Sequence, residues 1–272
     1  MVKRLAQTPK SVRLGEQVAN LLLAAIRLQE YLPGQRLPSE RELCLRLGVN
    51  RMAVREGLRW LEHQQYIEIR RGRYGGAFVR APATELALER LRGKAEHFRQ
   101  VFEYRAAVEP LAAALAAERI TEPDIQRLRQ LLQAEEREGA RPRRRALDVE
   151  FHEIIAAASR NEFVFNAVRE IRIVLAPGLD ILPDSPQRRD ESHAEHVAIV
   201  RALETGSASS TREAMQHHVL ESERMIRRAM LDVSAQSDTG AGSAQDEGTD
   251  HGRARPPTHA RSLPRSGRPR PE

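Results

Sequence analysis

Cysteine is almost absent from this 272-residue chain. Cys44 stands alone, which excludes a disulfide framework within the chain and fits a reducing compartment. Aromatic residues are only 4% of the total, so a sheet protein built on aromatic and β-branched side chains is disfavoured, and an Ala- and Leu-rich helical protein is expected. No apolar run approaches the roughly 18 residues of a membrane span. The start, Met1-Val2-Lys3-Arg4-Leu5, lacks the apolar stretch of a secretory signal. These absences predict a cytoplasmic protein with no membrane partner.

Positive charge, in contrast, is present in excess and unevenly placed. Residues 1–80 hold 15 Lys+Arg against 7 Asp+Glu, whereas residues 232–272 hold 6 of each. Against a formal net charge of +6, the middle of the chain is therefore slightly acidic. A polyanionic partner is expected at the first 80 residues.

The pattern divides the chain into three regions. Residues 10–80 end in two short β-rich segments around glycines, Ile67-Glu68-Ile69 and Ala77-Phe78-Val79, which read as a hairpin. Pro82 marks a hinge. Residues 84–231 carry apolar residues at helical spacing, as in Val101, Tyr104, Val108, Leu111 and Leu115. Breaks near Thr121 to Pro123, Gly139 to Pro142, Pro177-Gly178, Pro183 to Pro186 and Gly206-Ser207 predict a bundle of about six or seven helices. Residues 232–272, rich in Gly, Ser, Pro, Asp and Arg, read as a disordered tail. The fold class expected is mainly α.

Within the first region a helix over Ser11 to Gln29 leads to the turn Pro33-Gly34. Ser39 can cap a second helix, with Glu42 completing a capping box, and Gly48 can end it. Asn50 can cap a third helix, Arg51 to Gln64. Two short helices joined by a tight glycine turn have the shape of a helix-turn-helix. The third helix places Arg51, Arg55 and Arg59 along one face, with Val54, Leu58 and Leu61 turned inward. Taken alone, that stripe most often means a solvated face. In this order of elements it reads as a recognition helix, followed by a wing with Arg71, Gly72 and Arg73 at its tip.

The residues Pro33-Gly34, Leu37-Pro38-Ser39-Glu40-Arg41-Glu42-Leu43, Leu47-Gly48-Val49, Arg51, Val54-Arg55-Glu56, Leu58, Leu61 and Gly72 to Val79 resemble the N-terminal domain of the GntR family of bacterial regulators. The resemblance covers nearly all of residues 15–80. It implies a winged helix-turn-helix that binds operator DNA, with Arg41, Arg51 and Arg55 contacting bases and phosphates and Gly72 letting the wing tip enter the minor groove. Asn50 departs from the family's usual Ser or Thr, though Asn also caps helices.

In the second region Asp148 and His152 lie four residues apart, on one helix face, while His196 and His218 fall in later helical segments. One Asp and three His from three helices can hold a divalent metal such as Zn, Ni, Fe or Mn. Nine scattered histidines make some such set a chance occurrence as well. The stretches Arg105 to Pro110, Asp148 to His152, Ser159-Arg160-Asn161, Glu195-His196 and Met215 to His218 are similar to the FCD ligand-binding domain, which defines the FadR-type branch of the GntR family. That resemblance implies metal ligation by Asp148, His152, His196 and His218, leaving His193 and His217 outside the set, and a small organic acid as effector. Arg105 is either a clamp for the effector carboxylate or the ion-pair partner of Glu109.

The resulting expectation is a ligand-responsive regulator, commonly a repressor in this family, whose homodimer binds an inverted-repeat operator. The rival is a metal-dependent hydrolase or lyase acting on small carboxylates. Against it, no obvious general base accompanies the ligands and no nucleophile motif is present.

Overall fold

Helix α1 (Leu14–Arg27) turns Val18, Ala19, Leu22, Leu23 and Ile26 to one side and buries them. In this computed structural model residues 14–81, 83–91 and 94–241 are described; the expectations for residues 10–13, the Pro82 hinge and residues 242–272 lie outside them. Local chemistry sets the next two helices. Ser39 caps α2 (Glu40–Leu47): its backbone N–H donates to Glu42 Oε2 at 2.8 Å, and Glu42 N–H donates back to its hydroxyl at 3.3 Å. Gly48, at φ 64°, closes that helix in the left-handed region where a side chain would be strained. Asn50 Oδ1 accepts from Ala53 N–H at 2.9 Å and starts α3 (Arg51–His63). Strands β1 (Ile67–Arg70) and β2 (Gly76–Val79) pair antiparallel, from Ile67 opposite Val79 to Arg70 opposite Gly76. Leu22, Leu37, Leu43, Val54, Leu61, Ile67 and Val79 form the core of this part.

Helices α1 and α3 cross closely at Gly57. A Cβ there would lie 2.8 Å from Val18 Cγ1 and 3.0 Å from the backbone nitrogen of Ala19. Backbone cannot move aside cheaply, so Gly57→Ala is expected to destabilise this region by about 1–3 kcal/mol, the usual overpacking cost. Denaturant unfolding measures it; an unchanged midpoint would mean the helices separate freely.

Among the described residues seven further helices follow: α4 (Thr84–Leu91), α5 (Ala95–Arg119), α6 (Glu122–Arg137), α7 (Arg141–Ala158), α8 (Glu162–Asp180), α9 (Pro186–Glu204) and α10 (Ala208–Ala241). Helix α5 packs on α7, α8 and α9, and α6 on α7 and α9. Their shared core includes Ala113, Leu128, Phe151, Ile155, Ile199, Leu203 and Val219. No described helix is long and apolar enough to cross a membrane.

Two boundaries differ from the sequence reading. The break expected at Pro177-Gly178 does not occur, because α8 runs through to Asp180. Gly178 sits so close to neighbouring side chains that an added Cβ would be 3.0 Å from Phe98 and 3.2 Å from Ile226. Packing there outweighs the hydrogen bond that proline removes. Helix α10 likewise continues to Ala241, past residue 232 where the tail was expected to start. No proline interrupts that stretch, and extending an existing helix gains one hydrogen bond for each residue fixed.

The described residues up to Ser234 fall in one compact unit, so winged part and bundle meet. Arg169 Nη2 lies 2.8 Å from Glu30 Oε1, and Arg90 of α4 donates to the Gln64 carbonyl.

Candidate DNA-binding face and metal centre

The arginines expected to meet DNA are all exposed: Arg41 on α2, Arg51, Arg55 and Arg59 on α3, and Arg71 and Arg73 beside Gly72 at the hairpin turn. Arg51 and Arg55 converge on Glu40, with Nε atoms 2.7 and 3.0 Å from Glu40 Oε2. The Arg51 hydrogen bond, then Arg55, holds the Glu40 carboxyl below its ordinary range despite partial burial. Glu40 was not singled out from the sequence; it opens α2, eleven positions before Arg51, and gave no local signal. Arg59 lies farther along α3, outside that cluster. Gly72 adopts φ 100°. Beside the turn, Arg70 covers the Phe78 ring at 4.4 Å, so apolar and cationic surfaces adjoin on the wing.

In the bundle, α7, α9 and α10 bring the four expected ligands together. One ligand atom from each of Asp148, His152, His196 and His218 lies within 4.8 Å of every other. Asp148 Oδ1 is 3.7 Å from His152 Nε2 and 3.8 Å from His196 Nε2. Its other oxygen, Oδ2, receives Arg172 Nη2 and, at 3.3 Å, Arg145 Nη1. One carboxylate oxygen is thereby directed to the histidines and the other to arginines.

Each imidazole has a carboxylate at Nδ1. His152 Nδ1 lies 2.9 Å from Glu109 Oε2, His196 Nδ1 lies 2.9 Å from Glu135 Oε1, and His218 Nδ1 lies 2.7 Å from Glu195 Oε2. A neutral imidazole donating from Nδ1 presents the lone pair of Nε2, and a carboxylate partner fixes that tautomer and orientation. Phe151 stacks on the His196 ring, centroids 4.1 Å apart, and fixes its plane. Among the described residues His152 Nε2 and His196 Nε2 are buried and have no hydrogen-bond partner; His152 Nδ1 and Glu109 Oε2, although 2.9 Å apart, are not aligned as a hydrogen bond either. Buried polar atoms of this kind are rarely left unsatisfied, and a divalent cation would satisfy the two Nε2 atoms. The residues present therefore fit a metal.

Electrostatics favour the ligating form at Asp148, His152 and His218 and oppose it at His196. Burial opposes ionisation of Asp148, but Arg172, then His152 and Arg145, hold it well below the carboxylate range. Burial pushes His152 down, against the pull of Glu109, and pushes His218 well down, with His196 and His152 adding to it. For His196 burial is outweighed by Glu135, and the pKa rises. Neutral imidazoles and an ionised carboxylate are the forms that bind metal.

Beside this quartet is a cavity of about 130 Å³, lined by Arg105, Arg145, Arg172 and Arg188 among others. Both readings of Arg105 find a basis here. Its Nε donates to Glu109 Oε1 at 2.8 Å and its Nη1 to Ser222 Oγ at 2.9 Å, yet it lines the cavity. His193 lines the cavity too, but its Nδ1 is engaged at 3.3 Å with Glu135 Oε2 and it stands outside the quartet. His217 is exposed, its side chain at 66%. Glu109, Glu135, Arg145, Arg172 and Arg188 were missed as site residues. Of these only Glu109 carried a sequence signal, its spacing from Arg105.

Comparison with known proteins agrees with this architecture. Residues 14–79 match the bacterial regulatory proteins of the gntR family, and residues 100–221 match the FCD domain. An uncharacterized HTH-type transcriptional regulator of Mycobacterium tuberculosis is 35% identical over 57% of this chain and 65% of its own length. The Uxu operon transcriptional regulator of Escherichia coli is 31% identical over 80% of this chain and 87% of that protein. The HTH-type transcriptional repressor NanR of Cronobacter sakazakii is 29% identical over 76% and 83%. The solved structure of E. coli McbR/YncC shares the fold, with a TM-score of 0.50 and 20% identity, over 80% of this chain and 98% of that one. These relatives and domains are those of transcription regulators, so the enzyme alternative is set aside. A winged helix-turn-helix joined to an FCD bundle, matched along both parts, makes this chain a member of the GntR family of bacterial transcription regulators, in its FadR-type branch.

Proposed function

We propose that the protein is a ligand-responsive repressor whose homodimer binds an inverted-repeat operator and answers to a small organic acid. The observation that carries this reading is the meeting of Asp148, His152, His196 and His218 beside an arginine-lined cavity, on a chain that also presents an arginine-bearing recognition helix. Repression is supported by the name of the NanR relative. The DNA-binding part is residues 10–80, and residues 84–231 serve effector binding and dimerisation.

On DNA, Arg51 and Arg55 exchange Glu40 for guanine edges and phosphates, joined by Arg41, Arg59 and, at the wing, Arg71, Gly72 and Arg73. In the bundle, the three imidazoles and Asp148 would hold Zn, Ni, Mn or Fe, which supplies a Lewis-acid anchor for a carboxylate. Arg105, Arg145, Arg172 and Arg188 give the same ligand planar, charge-assisted donors. The acid changes operator affinity to the extent that it binds the two head arrangements differently.

Fluorescence anisotropy with a selected operator tests this. Arg51→Ala should weaken operator binding by about 1–3 kcal/mol and relax preference at one base position. Small hydroxy acids, sugar acids and dicarboxylates, added in turn with metal, should include one that shifts the parent's affinity and leaves His218→Ala unmoved. Unchanged affinity and preference in Arg51→Ala would refute the recognition helix. An equal response in His218→Ala would refute the effector site.

A further inference from the structure

We infer that a second anion site lies between the winged part and the bundle, and that it takes a small phosphate-bearing molecule. A cavity of about 170 Å³ there is lined by Arg27 and Tyr66 from the winged part, Arg90 from α4, and Arg141, Arg145 and Asp180 from the bundle. With Arg80, five arginines thus line a small space against one carboxylate, Asp180. Like charges gathered where water is scarce repel unless an anion accompanies them.

Of these arginines only Arg145 reaches a carboxylate of the described residues within hydrogen-bond length, Asp148 Oδ2 at 3.3 Å, and Arg90 donates to the Gln64 carbonyl. Arg27 Nη2 donates to the Tyr66 hydroxyl at 3.0 Å, and Arg90 stacks over the Tyr66 ring at 3.9 Å. Arg141 uses one amino group on the carbonyls of Leu179, Asp180 and Leu182 at the end of α8. Arg27 Nε and Arg145 Nε are buried with no hydrogen-bond partner among the described residues. Asp180 reaches Arg145 Nε only at 3.9 Å, beyond hydrogen-bond length. Guanidinium groups from both the winged part and the bundle, with the Tyr66 hydroxyl beside Arg27, suit a tetrahedral group carrying three acceptor oxygens and up to two charges.

The location gives such a ligand a regulatory consequence. Arg141 and Arg145 also line the cavity beside Asp148, so the two cavities share side chains. If the regulator reading above holds, occupancy here biases how the winged part rests on the bundle, and the two ligands change each other's affinity by the same factor.

Isothermal titration of the full chain with inorganic phosphate and phenyl phosphate, at constant ionic strength, reads the site without DNA or effector acid. Its failure is thereby separable from failure of the regulator reading. Saturable binding is expected, weakened about tenfold or more in Arg27→Gln and in Arg90→Gln, since each loses charge-assisted bonds. Metal content should stay at the parent's level, because neither residue lines the metal cavity. Tyr66→Phe keeps the ring on which Arg90 rests and removes only the hydroxyl, so it serves if the arginine variants misfold; a loss of about threefold is expected from one hydrogen bond. No saturable phosphate binding in the parent would overturn the proposal. So would affinity unchanged in all three variants, or succinate bound more tightly than either phosphate.

Discussion

Purified without chelator, the protein should carry close to one divalent ion per chain, and His196→Ala and His218→Ala should carry almost none. Elemental analysis beside protein concentration reads both. Each substitution removes one of four ligands whose donor atoms lie within 4.8 Å of one another, and leaves a gap that alanine cannot bridge. A further variant separates ligation from mere packing. Glu135→Gln keeps nearly the same shape but removes the carboxylate at His196 Nδ1, and replacing such outer partners lowers metal affinity about 10- to 100-fold. The expected series is therefore parent, Glu135→Gln, then the histidine variants, in falling order of affinity. A parent that takes up no Zn, Ni or Mn would refute the metal centre. A Glu135→Gln variant as tight as the parent would remove the carboxylate from its role in orienting His196.

Glu109→Ala is expected to cost about 3–5 kcal/mol of folding stability, the loss typical when one partner of a buried ion pair is removed. Arg105 is 0% exposed and Glu109 1%, with Arg105 Nε 2.8 Å from Glu109 Oε1. Without the carboxylate, Arg105 keeps its charge in a water-poor site with Ser222 as its remaining partner, and His152 loses the group at its Nδ1. Glu109→Gln should cost less, because its amide oxygen still accepts a hydrogen bond. Guanidinium unfolding of metal-stripped protein keeps ligand effects out of the comparison. Loss near zero for Glu109→Ala would mean that solvent reaches Arg105. The same pair spends part of the Arg105 donor set on the fold, while Arg172, Arg145 and Arg188 also line the cavity.

The winged part was legible because its rules are local. The capping box of Ser39 and Glu42, the cap at Asn50 and the glycine stop at Gly48 each depend on atoms within about one helical turn. The stripe of Arg51, Arg55 and Arg59 follows from helical period alone. For the candidate metal site, period placed Asp148 beside His152, and His196 and His218 were offered as partners from later helices; family resemblance was what favoured that set over chance, since nothing local joins three separate helices.

What escaped the sequence depends on which helices become neighbours. Glu135 reaches His196 across 61 positions and Arg105 reaches Ser222 across 117, separations at which no spacing rule applies. Proline and glycine at 177–178 signal a break by local preference, and close packing against Phe98 and Ile226 overrides it. The sequence by itself determined the helical class, the winged DNA-binding segment and its arginine face, because propensity, capping and periodicity act over a few residues. Only the tertiary structure decided the glutamates behind each imidazole, the arginines on Asp148 and the cavity beside Arg27 and Arg90. Those arise where distant segments are pressed together and buried charge must find a partner.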